Sequence, residues 1–254
     1  LLIIENINSI EGKSFEVLMK NREKIESAQM RMDRRFLNFR MKIPEAIRNT
    51  ATKAIKNQDM ALLEKCVETN KQFYNTPMTS RFAEKYNAEF YMKYYKEGKD
   101  KEKYLKVATE YIEKYVISKS VESIKKIDEG NYERFMQIYR MGMADSTKDE
   151  KFEEMKTLMQ KMEARSTASE LNNAAWGVIE LFDDKETLAK VASWLVRALT
   201  LIREPHILDS QAHLLFKLGK KKEAIATEKE AITLAQKQGL EVEKYEKFLA
   251  EMKK

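Results

Sequence analysis

The sequence predicts an all-α protein, an α-helical repeat built from helix-turn-helix pairs. Three observations lead there. The 254 residues include seven glycines and three prolines, whereas sheet proteins need turn residues every few positions. Apolar residues recur at steps of three and four, the spacing of one helical face. Met, Lys, Glu, Leu and Ala are abundant, and these side chains lose little rotamer freedom in a helix.

The elements follow in order. Phe15, Leu18, Met19, Arg22 and Ile25 form the first stripe, with Ser14 as a candidate N-cap after Gly12. "MDRRFLNFRMKI" is a second helix expected to stop at Pro44, because proline disfavours helix in the residue before it. Two helices then reach Pro77. Ala46, Ile47, Ala51, Ala54 and Ile55 mark one, and Met60, Leu63, Cys66 and Val67 mark the other, with the turn at residues 57–59. From Thr79 a further pair is broken at "EGKDKE". Phe82, Tyr86, Phe90 and Tyr94 lie four apart in its first helix and read as core rather than as a ligand platform. Leu105, Ala108, Ile112 and Tyr115 continue the second. Residues 122–166 add one or two helices around Gly130 and Gly142, with "MADSTKDEK" as the candidate loop. Residues 168–239 divide into four helices, broken at "DDK", "REP" and Gly219.

The stretch "LDSQAHLLFKLGKKKEAIATEKEAITLA", residues 208–235, explains the pairing. Two helices that cross closely need small side chains at the crossing. Ala212, Ala224 and Ala231 meet that need, and Gly219 supplies the positive φ that ends the first helix. Leu208 stands at the large position. The segment resembles a tetratricopeptide repeat, whose unit is a helix pair of about 34 residues. Ala175 and Ala198 are the corresponding residues of a looser preceding pair. Two repeats are fewer than a free-standing array needs, so the N-terminal helices are expected to cap or extend the stack. The chain accordingly divides into an N-terminal helical region, 1–165, and a tetratricopeptide-like region, 166–254.

"LNNAAW" at 171–176, the stretch at 208–225 and "IEGKSFEVLMKNREKI" at 10–25 also resemble the helical C-terminal region of bacterial envelope thioredoxin-like proteins. The resemblance implies a periplasmic or envelope location, with the cytoplasm as the alternative. It departs in lacking a strand-rich thioredoxin domain and a CxxC motif. The first residue is not Met, which reads as a processed chain or fragment.

Composition narrows the function. Forty-seven basic residues against 41 acidic give a net charge of +6, a small excess on a dense mixture of signs and no mark of a general nucleic-acid binder. Cys66 is the only cysteine, so an intrachain disulfide and a cysteine-based zinc site are excluded. No apolar run approaches the roughly 20 residues of a membrane span, and the opening "LLII" is too short for a signal-peptide core. No Ser/His/Asp arrangement or phosphate-binding glycine turn occurs, so neither catalytic residues nor a cofactor are expected. His206 and His213 lie two helical turns apart with Asp209 between them, and a solvated polar face is preferred to a metal site. Cys66 reads as a small core residue.

The expected activity is therefore protein binding, by a non-enzymatic scaffold that takes a protein or peptide partner. Counting from Ala212, the groove-facing positions are His206, Asp209, His213, Phe216 and Lys217. The same spacing from Ala175 gives Asn172, Trp176, Ile179 and Glu180. In the competing arrangement Trp176 is core. Two other functions stay open. One is a substrate-positioning region for a thiol-disulfide oxidoreductase whose redox domain is absent here. The other is RNA or anionic-surface binding through residues 31–42, where Arg31, Arg34, Arg35, Arg40 and Lys42 stand near Phe36 and Phe39. For that segment an amphipathic helix with Met30, Phe36, Leu37 and Met41 inside is preferred.

Overall fold

The computed structural model describes residues 7–24, 39–77, 79–147 and 149–254, with the side chains of residues 39–41 left aside. The described residues form helices joined by short connections, with no strand among them. They are α1 (Lys13–Lys20), α2 (Phe39–Lys56), α3 (Met60–Phe73), α4 (Ser80–Glu97), α5 (Lys101–Tyr111), α6 (Val121–Arg140), α7 (Phe152–Met159), α8 (Met162–Leu181), α9 (Lys185–Leu201), α10 (Pro205–Lys217), α11 (Lys221–Lys237) and α12 (Glu243–Met252). A π-helical turn, Ile112–Ile117, follows α5. The chain divides into two compact units, Leu1–Val107 and Ala108–Lys254. The fold is all-α and of helical-repeat type.

In the first unit α2 packs on α3, α3 on α4, and α2 on α4 as well. The core between them is made by Ile43, Ala46, Ile47, Ala51 and Ala54 of α2 against Leu63, Cys66 and Phe90, with Phe15 and Leu18 of α1 added. Asp59 caps α3 by accepting from the Leu62 N–H at 2.9 Å.

Three expectations need correcting here. Pro44 does not end a helix; it lies inside α2, which runs on to Lys56. Proline has no N–H, so it removes one backbone hydrogen bond of the helix. Ile43 and Ile47 are wholly buried, and at about 1.5–3 kcal/mol each their burial outweighs that loss. Ser14 lies inside α1, whose cap is Gly12. The aromatic stripe of α4 is not all core: Phe90 is buried, Tyr86 and Tyr94 are half-buried, and Phe82 is exposed. Steps of four residues advance about 40° each around a helix, so Phe82 and Tyr94 point about 120° apart.

In the second unit α6 runs unbroken through Gly130, and Gly142, at φ +69°, lies just beyond its C-terminal end. Asp128 of α6 is buried and caps α8 across space, accepting from the Glu163 N–H at 2.6 Å and the Ala164 N–H at 3.2 Å. Beyond it the helices pair as expected: α8 with α9, α9 with α10, α10 with α11, and α11 with α12, while the first helices α8 and α10 also touch. The breaks fall at residues 182–184, 202–204 and at Gly219, whose φ is +84°. No helix among the described residues is long and apolar enough to cross a membrane.

Candidate functional site: an aromatic row on the first helices

Ala175, Ala198, Ala212, Ala224 and Ala231 are all wholly buried. A methyl group at each crossing lets the paired helices approach closely, and this fixes which side of α8, α10 and α12 remains for other work. Ala212 and Ala224 share one cluster with Leu215, Phe248 and Met252. Leu208 and Ala231 share another with Ile232, Ala235 and Tyr245. The C-terminal helix α12 thus packs where the first helix of a following pair would.

Along that side runs a continuous row of rings, one helix to the next. The Trp176 ring on α8 meets the His213 ring on α10 edge-on, with centroids 5.0 Å apart. His213 in turn lies flat on Phe248 of α12 at 3.4 Å and 7°. Phe216 meets Phe248 at 5.9 Å and 90°. Trp176 and His213 are half-buried and Phe216 is 37% exposed. Phe248 is buried, so the row reaches water only at Phe216 and at the exposed parts of Trp176 and His213. Trp194, by contrast, is buried.

The other predicted groove positions fare differently. Glu180 and His206 are exposed. Asn172 and Ile179 are buried. The Lys217 ammonium donates to the carbonyls of Ile179 at 2.6 Å and Phe182 at 2.9 Å and to Asp183 Oδ1 at 2.8 Å, neutralising the C-terminal end of α8. Burial pushes His213 down to about 4, helped by the Lys217 charge. Asp209 Oδ1 stands 3.5 Å from His213 Nε2, too far for a good hydrogen bond, and burial wins. The ring is neutral at pH 7.

Asp209 instead faces Glu228 of α11. Glu228 is wholly buried, and no N–H group or hydroxyl reaches either of its carboxyl oxygens. Burial, then the Asp209 charge and a side-chain hydrogen bond to Asp209, push Glu228 up to about 8, against the pull of Lys244 on α12. Asp209 is raised too, chiefly by burial. Two facing carboxyl groups bond only through a retained proton, so the pair holds one near neutrality. Sequence reasoning missed Glu228, which sits in a charged run, and Phe248, although the spacing of Tyr245, Phe248 and Met252 marks an amphipathic helix.

Among the described residues no group of three or more His, Cys, Asp or Glu side chains comes together to hold a metal. Cys66 is buried and its thiol is pushed up to about 12 by burial. The basic segment at 31–42 lies outside the described residues apart from the backbone from Phe39 and the Lys42 side chain, which pairs with Glu45 at 3.0 Å.

Stacked antiparallel helix pairs, small residues at each crossing and a ring row on successive first helices define an all-α helical-repeat protein. No protein-family model, curated protein or solved structure matches the chain.

Proposed function

We propose that residues 166–254 form a tetratricopeptide-like binding module that docks an extended segment of a partner protein along Trp176, His213 and Phe216. The observation that supports this is the part-exposed ring row on consecutive first helices, flanked by the exposed Glu180 and His206. Aromatic anchors with polar groups at the rim are the usual makings of a binding hot spot. The role is that of a scaffold without chemistry of its own. The resemblance of residues 10–25, 171–176 and 208–225 to envelope thioredoxin-like proteins supports a place within a larger envelope protein.

The test uses Trp194→Phe, which leaves Trp176 as the sole tryptophan. Peptides selected on this protein from a displayed random library should shift Trp176 emission on binding. Trp176→Ala and Phe216→Ala should each weaken them at least tenfold, about 1.4 kcal/mol. Selected peptides that bind both alanine variants as tightly as the parent would place the binding surface elsewhere.

A further inference from the structure

The first unit contains a cleft of about 450 Å3 beside the C-terminal end of α3, a volume within the range of small-molecule sites. Its walls are aromatic. Tyr74 meets Phe73 edge-on at 4.7 Å and lies 5.8 Å from Tyr86 at a 34° tilt. Two arginines reach the same space, and no Asp or Glu lines it among the described residues. The two arginines differ in their engagement. Arg22 donates to the carbonyls of Gln72 at 2.6 Å and Phe73 at 3.0 Å, so it caps α3 and fixes that wall. Arg48 is exposed, and its guanidinium makes no hydrogen bond or ion pair with any described residue. Burial raises the Tyr74 phenol, which keeps it neutral and able to donate. The hydroxyls of Thr76 and Thr79, 2.7 Å from each other, stand at the rim.

We propose that this cleft binds an apolar carboxylate, its charge on the Arg48 guanidinium and its body against the rings of Phe73, Tyr74 and Tyr86. The reasoning is one of complementarity. A cationic cleft lined by no carboxylate among the described residues repels cations, and a planar guanidinium fork matches a carboxylate with two parallel hydrogen bonds. The aromatic walls select against small hydrated anions, because they offer apolar area and few donors. Arg22 supplies a second positive charge without moving. A free organic acid and the C-terminal carboxylate of a peptide present the same chemistry. The site is separate from the ring row of α8, α10 and α12, and each can fail without the other.

Calorimetry on the full chain tests it with matched probes: 3-phenylpropionate and 3-phenylpropanamide, then a tripeptide ending in Phe and its C-terminal amide. At least one acid should bind saturably and at least tenfold more tightly than its own amide. Binding of the free acid alone would identify small acids as the ligand; binding of the tripeptide alone would identify peptide C termini. Arg48→Ala should weaken the acid at least tenfold with an unchanged melting temperature, while Trp176→Ala leaves it untouched. Equal binding of acid and amide, equal binding by Arg48→Ala, or no saturable binding of any probe would overturn the proposal. Tighter binding of phenyl phosphate than of both acids would overturn the choice of carboxylate.

Discussion

Replacing Glu228 by Gln keeps the size of the side chain and removes its ability to ionise. In the folded protein this carboxyl is pushed up to about 8 from its ordinary 4.5, by burial first and by Asp209 second. The folded state therefore binds more protons than the unfolded state between these two values. Stability must fall as pH rises through that window, by up to about 1.4 kcal/mol per pH unit. Over three to four units the ceiling is roughly 4–5 kcal/mol, a large part of the 5–15 kcal/mol that holds a typical domain together. Lys244 on α12 is the cation facing the pair, and its attraction is already included in the balance. His213 gives the opposite slope on the acid side, since its lowered value costs stability as pH falls from about 6.5 to about 4. The comparison of wild type with Glu228→Gln removes the His213 contribution from the difference. Urea unfolding followed by circular dichroism at pH 5, 7 and 9 is the assay. The variant should match wild type to about 1 kcal/mol at pH 5 and exceed it by roughly 2–4 kcal/mol at pH 9. The Gln amide also gives Asp209 a permanent N–H donor. Parallel profiles for the two proteins, or a variant less stable at pH 9, would show that no proton is held between the two carboxyls.

Ala231→Leu adds methylenes where the α11 side chain is wholly buried at a helix crossing, and should cost roughly 1–3 kcal/mol, seen as a lower melting temperature; an unchanged value would remove the close-packing argument. Asp128→Ala leaves the Glu163 and Ala164 N–H groups without their buried acceptor and should lower stability by roughly 1–3 kcal/mol in chemical denaturation. Cys66 should resist a thiol-specific maleimide in the folded chain and react on unfolding, and the chain should not reduce insulin disulfides. Fast labelling under native conditions would contradict the burial of that thiol.

The parts of the fold written in single residues were legible, and those written in pairs of distant residues were not. Gly219 marked a helix end because its positive φ is a local demand, and the buried alanines of α8 to α11 marked crossings because their spacing is periodic. Pro44 misled because the rule against proline in helices is also local, whereas the burial that overrides it is contributed by α1, α3 and α4. The turn before α5 shows the same contrast. There Lys99, not Gly98, takes the positive φ of 57°, and a Cβ at Gly98 would press on the amide end of the flexible Gln58 side chain, forty residues earlier, which would have to move aside. No window of sequence around Gly98 contains that fact. The candidate site divides in the same way. Trp176, His213 and Phe216 followed from helical spacing. Lys217 was assigned to the groove on the same spacing, yet its ammonium serves the end of α8. Glu228 looked like one more surface charge until α10 brought Asp209 against it. Helical periodicity identifies the side of a helix that faces inward. Which polar side chains on that side are satisfied by the protein, and which are left to act on something else, depends on the partner helix, and only the packed structure supplies it.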